Sequence, residues 1–205
     1  MNSRERVLAA ISHLQPDRVP ADMGATPSSG ISAIAYSNLI SHLGRTDLPV
    51  WIYDVVQQLA QPDMSVINKF GIDVLDIGRT FNESADDWYQ IKLANGGSIS
   101  LLMPDLIDAG IEIFNPVQTN AFGMEPEFLK REFGKDCTFW GGGVETVGTL
   151  NGNDQSKIRD QVFERMEIFS EGGGFIFNTV HNILPDVPPQ NIITMFNAVT
   201  EFNNH

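Results

Sequence analysis

The chain has 205 residues and a formal net charge of −13, from 13 Lys and Arg against 26 Asp and Glu. Nucleic-acid binding needs clustered basic residues, and none occur here, so we exclude nucleic acid as a main partner. The same acidity disfavours anionic membrane surfaces. Apolar residues make up 42% of the chain, which is a usual globular share and suits a single domain over residues 1–205.

Cysteine usage and apolar runs limit the cellular setting. The single cysteine, Cys137, excludes an internal disulfide and a CxxC metal motif. No apolar run approaches the roughly 18 residues of a membrane span. The charged N-terminal stretch is unlike a signal peptide. We therefore expect a cytoplasmic protein that neither contains a membrane segment nor binds a membrane.

The first half of the chain predicts helices separated by extended pieces. An Asn2 or Ser3 cap begins the first helix. Its apolar stripe at helical spacing consists of Val7, Leu8, Ile11 and Leu14. Further elements are expected as an extended piece at 18–22, helices at 31–43 and from Pro62 to Gly71, a strand at 72–77, and a strand at 88–93 that ends in a hairpin turn at 95–97.

From residue 103 onward, strands and helices alternate. Strands are expected at 111–114, 137–140 and 175–178, and helices at 104–109, at 126–133, around Ile158–Phe169 and from Pro188. Successive strand–loop–helix units predict parallel strands with right-handed crossovers. A (β/α)8 barrel typically needs about 250 residues, with about 200 as the floor. Only four or five parallel strands are found, so the sequence predicts either an open α/β sheet or a shortened, incomplete (β/α)8 barrel.

One histidine lies where chemistry is expected. The apolar run at 175–178 is followed by His181, then by an Asp-x-Pro-Pro turn and a helix. This order places His181 beyond the carboxyl end of a strand, where ligands and catalytic groups lie in parallel α/β proteins. An imidazole there can donate to a carboxylate or transfer a proton. We predict that His181 is catalytic; the alternative is a structural histidine bonded to a neighbouring loop.

Three segments together resemble one known superfamily. They are SRERVLAAISHLQPDRVPADMG, FWGGGVETVGTL and GGGFIFNTVHNILPDVPPQNI, and they resemble the uroporphyrinogen decarboxylase superfamily, which includes corrinoid-linked methyltransferases. The resemblance implies a (β/α)8-barrel origin and covers roughly residues 1–95 and 103–203. The pattern jumps near residues 98–103, which implies that the central strands of the barrel are missing.

The resemblance also implies a set of site residues. His181 corresponds to the histidine of the decarboxylase's Gly-His-Gly-Ile-x-Pro-Asp motif, here Val-His-Asn. The Gly141–Gly143 loop corresponds to a family Gly-Asn-Leu-Asp-Pro loop, in which Glu145 falls at the aspartate. Glycines there would let backbone N–H groups approach a ligand, or would serve only a tight turn. The predicted substrate-binding residues are Arg79, Asp76, Asn115, Gln118, Gly142, Gly143 and Glu145.

Two features favour the methyltransferase-like branch, which acts on tetrapyrrole-related or one-carbon substrates. The position of the family's catalytic aspartate falls near Arg79, and the segment RVPADMGATPSSG has no arginine after Arg18 to hold substrate carboxylates. Relatives in this branch use corrinoid or zinc. This chain has no His-x-Cys pair, so we predict no metal site and expect Cys137 to be a small apolar strand residue.

Three alternatives remain. The chain could be a porphyrinogen decarboxylase, or it could be a non-catalytic remnant that binds porphyrinogen-like and corrinoid ligands weakly or not at all. An incomplete barrel also exposes sheet edges, which would favour a homodimer in which two chains complete one barrel.

Overall fold

The computed structural model describes residues 1–76 and 97–205. The described α-helices are α1 (Ser3–Ile11), α2 (Ala33–His42), α3 (Met64–Phe70), α4 (Met103–Asp108), α5 (Pro126–Phe133), α6 (Gln155–Ser170) and α7 (Pro189–Asn203). The described strands are β1 (Ile31–Ser32), β2 (Trp51–Asp54), β3 (Leu59–Gln61), β4 (Ile113–Phe114), β5 (Thr138–Trp140) and β6 (Phe175–Ile176). Among these helices, none is long and apolar enough to cross a membrane.

The parallel strands form an arc in which the two ends of the chain meet. β4, β5 and β6 pair in parallel, in chain order. Beside β6, Ala21 pairs in parallel with Phe177, and Asp22 pairs in parallel with Val74. The first extended segment therefore lies between the last strand and the segment around Val74. This cyclic order is the one found in a barrel wall, but the described residues form no closed barrel.

A second, antiparallel sheet was not predicted. It has the order β1–β3–β2, with Ile31 opposite Ala60 and Trp51 opposite Gln61. Residues 51–56 are mostly aromatic or β-branched, which suits a strand. Trp51 and Ile52 are both exposed, however, so no apolar alternation marks β2. The prediction that a helix begins at residue 31 was wrong. Ile31 and Ser32 pair in β1, and the Ser32 side chain then caps α2.

Helix burial partly follows the predicted pattern. The stripe of α6 is buried at Ile158, Val162, Met166 and Phe169, which confirms the prediction for that helix. The stripe predicted for α1 was wrong, because Leu8 and Leu14 are 40% and 61% exposed. The buried face of α1 instead carries Arg6, Ala9 and Ala10.

Arg6 is buried because it belongs to an ionic network. Its Nε lies 2.7 Å from Asp17 Oδ1, and its Nη1 contacts Asp73. Arg18 Nη1 lies 2.9 Å from the other oxygen of Asp73, whose side chain is fully buried. The Asp73 N–H also donates to the carbonyl oxygen of Ala21 over 2.8 Å. The network therefore fastens α1 and the segment around residue 73 to the first extended segment.

Only part of the predicted elements at residues 72–97 lies within the residues that the structure describes. In place of a full strand at 72–77, the structure shows a single parallel bridge at Val74. The predicted strand at 88–93 and its turn lie outside the described residues, except for Gly97.

Replacing Asp73 with Asn should strongly destabilise the protein. The substitution leaves Arg6 and Arg18 without their buried carboxylate, and breaking a buried ion pair costs about 3–5 kcal/mol. Urea unfolding of the wild type and Asp73→Asn measures this change. Asp47→Asn is the matched control, because its partner Arg45 and Asp47 itself are exposed and exposed pairs contribute little. Equal effects of the two substitutions would contradict a structural role for the network.

Candidate functional site

Polar side chains gather at the carboxyl ends of the parallel strands. Asp22 ends the first extended segment, Asn115 follows β4, Trp140 ends β5 and Asn178 follows β6. Neighbouring parallel strands end at the same edge of a sheet, which is where ligands bind in such folds. We call Asp22, Asn115, Trp140 and Asn178 the rim cluster.

Hydrogen bonds join the rim cluster across the strands. Trp140 Nε1 donates to Asp22 Oδ2 over 2.8 Å, and Asn178 Nδ2 donates to the carbonyl oxygen of Asp22 over 2.8 Å. Asn115 Nδ2 donates to the carbonyl oxygen of Trp140 over 2.9 Å. β6 lies between β5 and the segment that carries Asp22, so the Trp140 indole reaches across β6 to the carboxyl group.

Asp22 is a buried carboxyl group surrounded by neutral donors. The residue is 1% exposed. Its Oδ1 accepts the N–H groups of Gly24 and Ala25 over 2.9 and 2.8 Å. Burial raises the pKa of Asp22 to about 6, although these hydrogen bonds and that from Trp140 act in the opposite direction. A buried carboxyl with a raised pKa at a strand end is a candidate for binding or proton transfer.

The loop of residues 23–30, which we call the rim loop, spans this edge. Thr26 Oγ1 donates to Asn115 Oδ1 over 3.1 Å, and Asn178 Nδ2 donates to the carbonyl oxygen of Ser29 over 3.3 Å. Asn182 holds the loop at two further points, accepting the Gly30 N–H over 2.7 Å and donating to the Pro27 carbonyl oxygen over 2.9 Å. The rim loop is therefore fastened to the residues that follow both β4 and β6.

His181 lies beside the rim cluster and not within it. It is exposed on the loop after β6, and its Nδ1 accepts the Asn182 N–H over 2.8 Å. The residue lines a cleft of about 350 Å³ formed by the start of α2, the β2–β3 turn and residues 181–185. Asn182 connects this cleft to the rim loop.

The predicted glycine loop is closely packed. Gly142 has φ 81°, and a Cβ there would lie 2.9 Å from Thr119 Cγ2. A Cβ at Gly143 would lie 2.9 Å from the carbonyl oxygen of Asn178. Glu145 extends towards α6, where its carboxylate lies 3.9 Å from Arg165 Nη2. Close packing thus explains both glycines, and the described contacts of Glu145 are with α6.

The other predicted substrate-binding residues are spread more widely. Asn115 belongs to the rim cluster. Gln118 is half-buried, three residues further along the chain. Asp76 is half-buried at the end of the first described range, and Arg79 lies outside the described residues. The structure therefore brings Asn115 alone of the predicted set into the rim cluster.

The described residues do not fit a zinc ion. Cys137 is buried, its Sγ donates to the carbonyl oxygen of Phe133 over 3.4 Å, and burial raises the pKa of its thiol to about 12. A cysteine binds zinc as its thiolate, and a raised thiol pKa disfavours that form. Within residues 1–76 and 97–205, no three His, Cys, Asp or Glu side chains are grouped so as to hold a metal.

Asp22, Trp140 and Asn178 were not among the predicted site residues. One sequence signal could have identified all three. Each of them lies at the C-terminal end of an extended apolar segment. In parallel α/β folds such positions lie on the ligand-binding edge whichever residue type occupies them.

Comparison with known proteins gives partial but consistent matches. Residues 91–202, more than half of the chain, match the family model described as uroporphyrinogen decarboxylase (URO-D). The uroporphyrinogen decarboxylase of Pseudoalteromonas translucida (strain TAC 125) is 45% identical over 47 residues, which are 23% of this chain and 13% of that protein. That of Legionella pneumophila (strain Lens) is 37% identical over 67 residues, which are 31% of this chain and 19% of that protein. These matches thus span less than a fifth of the length of either relative.

Asp22 should make the fold less stable as the pH rises from about 4 to about 6. The folded state holds its proton with a pKa of about 6, against the ordinary value of 3.8. The folded state is therefore favoured below this window, and about 3 kcal/mol of that advantage is lost across it. Urea unfolding at pH 4 and pH 7 measures the loss.

Asp22→Asn removes this titration, so the variant should lack that part of the pH dependence. Asp105→Asn, at an exposed position of α4, is the control and should retain it. Identical pH profiles for the wild type and Asp22→Asn would show that the carboxyl group does not titrate in this range.

Proposed function

The chain belongs to the uroporphyrinogen decarboxylase family, and from this premise we propose that its rim cluster binds a tetrapyrrole-related ligand of the corrinoid type. In the methyl-transferring branch, such a ligand would supply a reactive methyl group. Its peripheral side chains are amides, whereas those of a porphyrinogen substrate are carboxylates. The two ligand types therefore need different partners at the rim.

The observation that supports this choice is the chemistry of the rim cluster. Two of its side chains are amides, from Asn115 and Asn178, and Trp140 adds an indole. Its one ionisable group, Asp22, is acidic and has no ion pair with a described residue. Amide groups hydrogen-bond well to other amides, but an ionised Asp22 would repel a carboxylate ligand.

A ligand with several carboxylates would need positive charge near the rim cluster, and the described arginines do not supply it. Six of them lie beside carboxylates of this chain: Arg6, Arg18, Arg45, Arg131, Arg159 and Arg165. The seventh, Arg4, is on α1. A substrate with several carboxylates needs unpaired guanidinium groups for bidentate recognition. The described residues therefore support porphyrinogen decarboxylation less well than corrinoid binding.

Several predicted roles belong to this proposal. His181 would transfer a proton or donate a hydrogen bond at the edge of the site, next to the rim loop. Asp76 and Arg79 would contact the ligand from the segment that follows Val74. Gln118, Gly142, Gly143 and Glu145 would support the same edge around Asn115 and Trp140.

A second candidate is a non-catalytic remnant of the family barrel. The order of the parallel segments favours it. Within the described residues, five segments lie side by side in the wall, namely β4, β5, β6, residues 21–22 and Val74, whereas a closed barrel has eight strands. We propose that the central strands of the barrel are missing near residues 98–103. Two chains joined at these edges would form the expected homodimer.

Isothermal titration calorimetry should separate these functions. We expect methylcobalamin to bind at least about tenfold more tightly than coproporphyrin III, a tetracarboxylate, because only the carboxylates are repelled by the acidic rim. Trp140→Phe removes the donor to Asp22 and should weaken methylcobalamin binding about tenfold. Trp51→Phe is the matched control, because Trp51 is 69% exposed on β2.

Three results would contradict the proposed function. Tighter binding of coproporphyrin III would favour the decarboxylase. Equal effects of Trp140→Phe and Trp51→Phe on binding would show that the ligand does not bind at the rim cluster. No binding of either compound would support the remnant.

A further inference from the structure

The cleft beside the rim loop has the features of a separate ligand site. Its volume is about 350 Å³, and its walls are the start of α2, the β2–β3 turn and residues 181–185. Among residues 1–76 and 97–205, no Asp, Glu, Lys or Arg lines it. Much of the wall is apolar, including Ile34, Leu59 and Leu184. This size falls at the lower end of the range for small-molecule pockets.

His181 presents one hydrogen-bond donor to this cleft. Its Nδ1 accepts the backbone N–H of Asn182 over 2.8 Å. A neutral imidazole carries its proton on the nitrogen that does not accept, so the proton of His181 lies on Nε2. The ring therefore offers an N–H group at the exposed edge of the cleft.

Gln58 supplies an acceptor in the same cleft. Its Nε2 donates to the carbonyl oxygen of Val55 over 2.6 Å, and its Oε1 accepts no hydrogen bond from the described residues. Its neighbour Gln57 has no such free group, because its Nε2 donates to Pro27 and its Oε1 accepts from Asn182, both over 2.9 Å. Gln58 also holds a left-handed φ of 55°, a conformation that is costly outside glycine and recurs at ligand sites.

We propose that this cleft binds a neutral carboxamide that carries a small apolar group. The carbonyl oxygen of the ligand accepts from His181 Nε2, its N–H donates to Gln58 Oε1, and its apolar group packs on Ile34, Leu59 and Leu184. The ligand is uncharged because burying a charge without a partner is costly, and the described lining of the cleft supplies no charged partner. This site uses no residue of the rim cluster, and it shares His181 with the function proposed above.

Three ligands of similar size and different charge test the charge preference. Hexanamide, hexanoate and hexylammonium are titrated into the ¹⁵N-labelled protein, and amide chemical shifts of residues 181–184 report occupancy. Hexanamide should bind at least about tenfold more tightly than either charged compound. Equal or tighter binding of hexanoate or hexylammonium would overturn the proposal, as would the absence of saturable shifts with hexanamide.

Two pairs of variants test the position. His181→Phe removes the N–H donor and should weaken hexanamide binding by about tenfold, whereas His42→Phe, on an exposed imidazole, should not. Ile34→Trp fills the cleft from a side chain that is 60% exposed and should abolish binding, whereas Val147→Trp, at 63% exposure, should not. Unchanged binding in both test variants would overturn the proposal. Trp140→Phe should leave hexanamide binding intact, because Trp140 does not line the cleft. The proposals for the cleft and for the rim cluster are therefore tested separately.

Discussion

The parallel pairing of the first extended segment with the end of β6 is the constraint on which the rest of the structure depends. The Asp22 N–H donates to the Phe177 carbonyl oxygen over 2.9 Å, and the Phe177 N–H donates to that of Pro20 over 2.8 Å. These bonds join residues that lie more than 150 positions apart in the chain. They place Asp22 at the same edge as Asn178. Without them, Asn178 would not reach Asp22 in the rim cluster or Ser29 in the rim loop.

Opposing energetic effects meet at this pairing. Burying the Asp22 carboxyl group disfavours its ionised form, while the N–H groups of Gly24 and Ala25 and the Trp140 indole stabilise that form. On the other side of the segment, Asp73 is also buried but has two arginine partners. The chain therefore compensates one buried carboxyl with charge and the other with neutral donors alone. That difference is why Asp22, and not Asp73, is the candidate for binding a ligand or transferring a proton.

Local pattern predicted much of the fold. The stripe of α6, the glycine stop after α3 and the capped start of α1 are set by residues close together in the chain, and each was read correctly. The buried face of α1 was misread because Arg6 is buried through partners 11 and 67 positions away. The β2–β3 hairpin was missed because Trp51 and Ile52 of β2 are both exposed, so no apolar alternation marks that strand.

The candidate site was predicted less well, for a related reason. The sequence alone placed His181 after a strand. It did not show which other strands lie next to that strand. Asp22 meets Trp140 across 118 positions of chain, and no spacing rule records such a contact. Only the order of the parallel segments shows that the end of the first segment and the end of β5 share one edge.

NMR scalar couplings across hydrogen bonds test the central pairing most directly. Couplings from the Asp22 nitrogen to the Phe177 carbonyl carbon, and from the Phe177 nitrogen to the Pro20 carbonyl carbon, should both be observed, together with slow exchange of the two amide protons. If the couplings are absent and both amides exchange rapidly, the first segment does not pair with β6, and the site built on that pairing does not exist.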